Sequence, residues 1–86
     1  MNITDIRVRK VDREGKLKAV ASITIDDVFV VHDIKIIDGA KGLFIAMPSK
    51  QAADGSFRDV AHPINTAIRE ELQSMIIEKY NGMDFE

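Results

Sequence analysis

Apolar and polar residues alternate from residue 3 to residue 11, with Ile6 and Val8 on one side and Arg7 and Arg9 on the other. This is the period-two pattern of a half-buried strand. After Asp12-Arg13-Glu14-Gly15, where glycine admits the positive φ of a turn, alternation resumes over residues 17–25. It sets Leu17, Ala19, Ala21, Ile23 and Ile25 on one face. The two runs predict a hairpin. A four-residue loop pairs Val11 with Lys16, Arg9 with Lys18 and Arg7 with Val20, placing Ile6 and Val8 beside Ala21 and Ala19 so that the apolar faces match. A three-residue loop with a glycine bulge sets Val8 against Val20 but Ile6 against Ser22 and mixes the faces, so the first register is preferred.

Residues 28–37 are apolar on both sides except at His32, Asp33 and Lys35. They predict a strand covered on two faces, with Phe29, Val31 and Ile37 opposite Val28, Val30, Ile34 and Ile36. Asp38-Gly39-Ala40-Lys41-Gly42 interrupts it. Residues 43–47 form a further short strand closed by Pro48, which has no amide proton for a ladder. A polar loop follows over 49–56, then a last short strand over 57–61 before His62-Pro63. From there the period changes. Ile64, Ile68, Leu72, Met75, Ile76 and Tyr80 recur at three- and four-residue spacing, with Arg69, Glu70, Gln73, Ser74 and Glu78 on the other side, which predicts an amphipathic helix. Asn65 or Thr66 caps its start, Glu70 and Glu71 lie toward its positive end, and Asn81-Gly82 stops it, leaving residues 83–86 frayed.

The predicted class is α+β: a twisted antiparallel sheet of about five strands with one C-terminal amphipathic helix. A single helix covers one face of such a sheet. Leaving the large apolar side chains of the other face wet forfeits about 1.5 to 3 kcal/mol each, so a second copy of the chain is the simplest cover and a homodimer is expected. The alternative is that the polar loop folds back over that face.

A length of 86 residues makes this one domain, and 45% hydrophobic with 30% charged residues is an ordinary globular composition. Cysteine is absent, which excludes disulfides and thiolate zinc and leaves oligomerisation to support a small core. Neither a signal peptide nor a membrane-length apolar run is present, so a soluble cytoplasmic protein without a membrane partner is expected. A net charge of −2 means that any affinity for phosphates must come from clustered cations.

Two clusters qualify. In the preferred register Arg7, Arg9, Lys16 and Lys18 share the outer hairpin face, with Arg9 across from Lys18, a like-charge pairing that a phosphate backbone would relieve. The competing reading is a solvated face diluted by Asp5, Asp12 and Glu14. Lys50, Arg58 and Arg69 converge in sequence around the helix start, where free backbone amides also attract phosphates. Against this, Arg69 can simply pair with a carboxylate.

Gly39-Ala40-Lys41-Gly42 matches the GxxG of backbone-clamping loops, but lies between strands rather than helices, so its glycines read as turn formers. His32 and His62, with Asp33 and Asp59, lack the spacing of a metal or acid–base set. Ser49 and Lys50 point to opposite sides of an extended chain and make no nucleophile pair. No catalytic residue, metal, cofactor or small-molecule substrate is expected.

Val30-Val31-His32-Asp33-Ile34, Gly42-Leu43-Phe44-Ile45-Ala46-Met47-Pro48-Ser49-Lys50 and Phe57-Arg58-Asp59-Val60-Ala61-His62-Pro63-Ile64-Asn65, together with Thr4-Asp5-Ile6-Arg7-Val8-Arg9 and Ala19-Val20-Ala21-Ser22-Ile23-Thr24, resemble the stage V sporulation protein G (SpoVG) family over about residues 1–80. The resemblance implies a sheet-paired homodimer with a role in sporulation and division septum formation. It also implies site-specific binding of DNA and RNA that modulates gene expression, with determinants toward the helix start, where Arg69 matches the family's basic residue. An alternative is a protein-interaction module of the septation machinery without nucleic-acid binding. The chain departs from the family at Gln51, where a basic residue is common, and in lacking an acidic tail beyond Glu86. The first change weakens binding through the loop, and the second removes a competitor for the basic face.

Overall fold

The structure, a computed structural model, describes residues 2–11 and 15–83. The turn expected at residues 12–14 and the fraying expected at residues 84–86 lie outside them. Four strands, β1 (Ile3–Lys10), β2 (Leu17–Ile25), β3 (Phe29–Gly39) and β4 (Gly42–Ala46), form an antiparallel sheet in chain order. Two more, β5 (Ser49–Gln51) and β6 (Phe57–Asp59), form a separate antiparallel ribbon, and α1 (Thr66–Asn81) follows. The class is α+β as expected. The strands, however, divide between two sheets, and β5 lies where the sequence predicts only a loop. Ser-Lys-Gln has no apolar alternation by which a strand is recognised.

The core lies between the inner face of the sheet and α1. Ala19, Ala21 and Ile23 of β2, Ile34 and Ile36 of β3, Ile45 of β4, and Met47 meet Leu72 and Ile76 of the helix, all of them buried. Burying Ile34, Ile36, Ile45 and Ile76, each almost fully enclosed, contributes about 1.5 to 3 kcal/mol apiece. The helix packs across β4 and β1. At its start Asn65 Oδ1 accepts from the Ile68 amide at 3.1 Å, the bond that fixes a helix N-terminus. Because α1 begins at Thr66, Glu70 and Glu71 fall past its first turn rather than near its positive end. Ile64, expected on the apolar stripe, precedes the helix and is 95% exposed. Gln73, read as a polar-face residue, reaches the sheet: its Oε1 accepts from the Ile45 amide at 3.1 Å, satisfying an edge-strand donor.

Neither weighed register of β1 against β2 is the observed one. Ile6 pairs with Ile23, Arg7 with Ser22, Val8 with Ala21 and Arg9 with Val20, two residues away from the preferred alignment. The apolar faces still match, because a slip of two preserves parity. Val11 donates to the Lys18 carbonyl at 3.0 Å, so the loop is longer than four residues and Arg9 does not face Lys18.

A second correction concerns β3. Ala21 pairs with Ile34 and Ile23 with Val31, so His32 and Asp33 together stand against Ser22. This is a β-bulge, and Asp33 takes a positive φ of 64°, a left-handed conformation of the kind one class of bulge uses. The extra residue inverts the alternation. Val31 packs against the core with Ile34 and Ile36, instead of projecting opposite to them as strict alternation predicts. On the outer face Lys35 stands between Val20 and Ala46, and Ile37 faces Phe44.

The turns explain themselves locally. Asp26 and Asp27, with φ of 52° and 59°, form a type I′ turn closed by the Val28 amide on the Ile25 carbonyl at 3.0 Å. Asn2 and Thr4 hold it: the Asn2 amide donates to Asp26 Oδ1 at 3.1 Å and the Asp27 amide to Thr4 Oγ1 at 3.0 Å. Gly39 and Gly42 face each other across the two-residue β3–β4 turn, so the GxxG segment is a hairpin. A Cβ on Gly39 would sit 2.7 Å from the Phe44 ring.

Candidate nucleic-acid interface

The ribbon brings together two of the three cations predicted around the helix start. Lys50 stands directly across from Arg58, Gln51 from Phe57 and Ser49 from Asp59, and all six residues are exposed. Cross-strand partners share a face, so Lys50 and Arg58 project together from one side and Phe57 from the other. Their like charges repel, and among the described residues neither has a carboxylate within 4.0 Å.

Hydrogen bonds hold this ribbon rather than burial. Val60 donates to the Pro48 carbonyl at 2.7 Å at its base. At its tip Ala52 donates to Ser56 at 2.7 Å and Gly55 to Ala52 at 3.0 Å. Asp54 Oδ1 accepts from both the Ser56 hydroxyl, at 2.6 Å, and the Ser56 amide, at 3.0 Å. The hydroxyl bond first, and the amide bond second, hold the Asp54 carboxyl below its ordinary range.

Arg69 lies on a different element, at the end of the first turn of α1, half-buried. Its carboxylate-paired alternative is not what the structure contains: among the described residues no acidic group lies within 4.0 Å of it.

The other cation set is dispersed. Arg7 and Arg9 lie on the outer face of β1, but Arg7 Nε is bound to Asp5 Oδ2 at 3.0 Å, which offsets one of the two charges. Lys16 precedes β2, and Lys18 stands beside Val11 rather than Arg9. A polar hollow beside Arg7 and Arg9 is also lined by Ser22, His32 and Asp33, so the bulge brings His32 toward the arginines.

His62 lies apart from His32, its Nδ1 3.1 Å from the Pro63 carbonyl oxygen. Among the described residues it is the single ionisable side chain lining an apolar cavity of about 360 Å³ between Ile23, Val31, Met47, Ile68 and Leu72. Among the described residues no three His, Cys, Asp or Glu side chains gather in a way that could hold a metal ion, and no helix is long and apolar enough to cross a membrane.

Sequence reasoning missed Phe57. It is 71% exposed and projects from the side of the ribbon opposite to the cation pair, whereas the pattern presents it only as the first residue of a last short strand. The signal that was available is its position immediately before Arg58.

The chain is similar over most of its length to proteins already known. The SpoVG family model matches residues 1–82. A protein of Agathobacter rectalis named "Putative septation protein SpoVG" is 72% identical over 80 residues, covering 93% of this chain and 92% of that protein. A protein of the same name from Lachnospira eligens is 62% identical over 85 residues, covering 99% and 97% of the two chains. A third, from Lachnoclostridium phytofermentans, is 66% identical over 80 residues, covering 93% and 86%.

Proposed function

This chain belongs to the SpoVG family, and on that premise we propose that it is a dimeric regulator that binds DNA and RNA and acts in the cytoplasm on gene expression, sporulation and septum formation. The observation that carries this reading is the Lys50–Arg58 pair: two directly opposed cations on an exposed ribbon, without a neutralising carboxylate among the described residues. A polyanion supplies the missing countercharge. Arg69, in the first turn of a capped helix, adds a cation where unsatisfied amides already favour phosphate. Arg9, Lys16 and Lys18 contribute a weaker peripheral field, and Arg7 less, because Asp5 holds it.

A second copy of the chain covers the apolar part of the sheet's outer face, leaving the β1 edge with Arg7 and Arg9 uncovered. Phe44 and Val30 are 41% and 46% exposed there, beside the half-buried Ile37 and Val20. Pairing through this face gives two ribbons per assembly.

A second reading, a protein-interaction module of the septation machinery, draws on Val60 and Ile64, which are 69% and 95% exposed; Ile64 borders the apolar cavity. Salt separates the two readings. Measured by fluorescence anisotropy, affinity for DNA and RNA falls steeply with salt if phosphate contacts dominate. Lys50→Ala with Arg58→Ala, and Arg69→Ala separately, each lower the slope of log K against log salt by about 0.7 to 0.9 for every phosphate no longer neutralised. A flat salt response, or a slope unchanged in these variants, overturns the regulator reading in favour of the interaction module. Sedimentation equilibrium of the same sample is expected to give the mass of two chains, and the mass of one removes the dimer.

A further inference from the structure

The ribbon has an edge as well as a cationic face. Val60 donates to the Pro48 carbonyl, and Ala52 to that of Ser56. In an antiparallel pair hydrogen-bonded positions alternate with positions that are not, so Lys50 and Arg58, midway between those two pairs, bond each other. The amides and carbonyls of Phe57 and Asp59 therefore turn away from β5, toward the outer edge of β6. Along that edge lie three kinds of group within one short segment: outward backbone donors and acceptors, the exposed Phe57 ring on one side, and the Lys50–Arg58 cations on the other.

We infer that this edge binds unpaired nucleotides, so that the preferred ligand of the ribbon is single-stranded nucleic acid. The inference rests on the nucleic-acid reading above and narrows it. A base stacks on the Phe57 ring, its hydrogen-bonding edge meets the outward backbone of β6, and the sugar-phosphate chain crosses the strand edge to the face bearing Lys50 and Arg58. Duplex nucleic acid offers the phosphates but neither of the other two contacts, since its bases are stacked on each other and their pairing edges are occupied. A single strand offers all three.

An extended acidic peptide could add to the same edge as a further strand. It would satisfy the backbone and the cations but give no reason for an aromatic ring held in water. The ring's isolation from the core and the hydrogen-bonded tip argue for a preformed platform, which lowers the ordering cost of binding.

The test compares labelled DNA and RNA single strands of about 12 nucleotides, long enough to span one such site, with the duplexes of the same sequence. Phe57→Ala is expected to weaken single-strand binding about tenfold, within the range of one base stack removed, and to leave duplex binding unchanged. Phe57→Trp is expected to restore it, and the emission of the introduced indole to be quenched by single strands and not by duplex. The exposed position lets both variants fold, which an unchanged melting temperature checks. Equal loss for single strand and duplex, no loss for either, or an unquenched indole overturns the single-strand assignment. If the unsubstituted protein binds duplex alone, the assignment fails and the regulator reading survives. If it binds neither at low salt, both fail together.

Discussion

The four-stranded sheet and the two-stranded ribbon use the same backbone ladder, yet different forces hold them. In the sheet Ile34, Ile36 and Ile45 are enclosed by the helix and their neighbours. Every strand residue of the ribbon is exposed, and its shape depends on a turn whose hydrogen bonds are all local. A two-stranded hairpin alone is marginal in water; here the Val60–Pro48 bond closes its base, and the chain enters it from Met47, which is buried in the core. The sheet supplies stability and the ribbon spends little of it. That separation leaves the ribbon's side chains free to be chosen for binding.

The largest effect that would break this comparison is a core truncation. Ile36→Ala is expected to cost about 2 to 5 kcal/mol in urea unfolding, whereas Phe57→Ala changes stability by less than about 0.5 kcal/mol. Equal losses in the two variants would mean that the ribbon is part of the core after all.

An intermediate effect tests whether the sheet is held by burial alone. At Asp33 it depends on backbone geometry: φ is 64°, a region that strongly disfavours β-branched side chains. Asp33→Val is expected to cost about 1 to 2 kcal/mol of unfolding free energy, while Asp33→Gly folds with the same sheet, as the chemical shifts of Val31 and Ile34 would report. A neutral valine substitution would remove the bulge, and with it the reason that Val31 and Ile34 share a face.

This contrast also decides what could be read from the chain. The hairpin strands, the helix and the apolar stripe over Ile68, Leu72, Ile76 and Tyr80 were legible because each repeats a period over many residues. The bulge was not, since His32-Asp33 carries no glycine or proline to announce a break, and one uncounted insertion inverts a face. The register of β1 on β2 escaped because parity fixes the faces but not slips of two. In the candidate site Lys50, Arg58 and Arg69 could be named from sequence, but the opposition of Lys50 to Arg58 could not. It follows from β5, whose three residues are polar. Gln73 was misread, and Phe57 passed over as a candidate, for a related reason: residue type says which groups seek a partner, and only the fold says which partner is near.

The smallest effect separates the two regions by pH. Hydrogen bonds from the Ser56 hydroxyl and then its amide favour the ionised form of Asp54 and lower its pKa from the ordinary 3.8. A carboxyl whose folded value is depressed stabilises the folded form above the unfolded value, and that contribution is lost as the pH falls through the lowered one. The ribbon tip therefore keeps its shape from neutrality down to pH 3.8 and loosens below it. Because the side chain is fully in water, the change is local: amide shifts of Gly55 and Ser56 are expected to move with acid while those of Ile34 and Ile36 stay fixed over the same steps. Asp54→Asn retains an acceptor oxygen and has no proton to gain, so it keeps the turn and abolishes the acid response at Gly55 and Ser56. Were the response to persist in that variant, another carboxylate would be its source, and the tip would owe its order to something other than the Asp54–Ser56 pair.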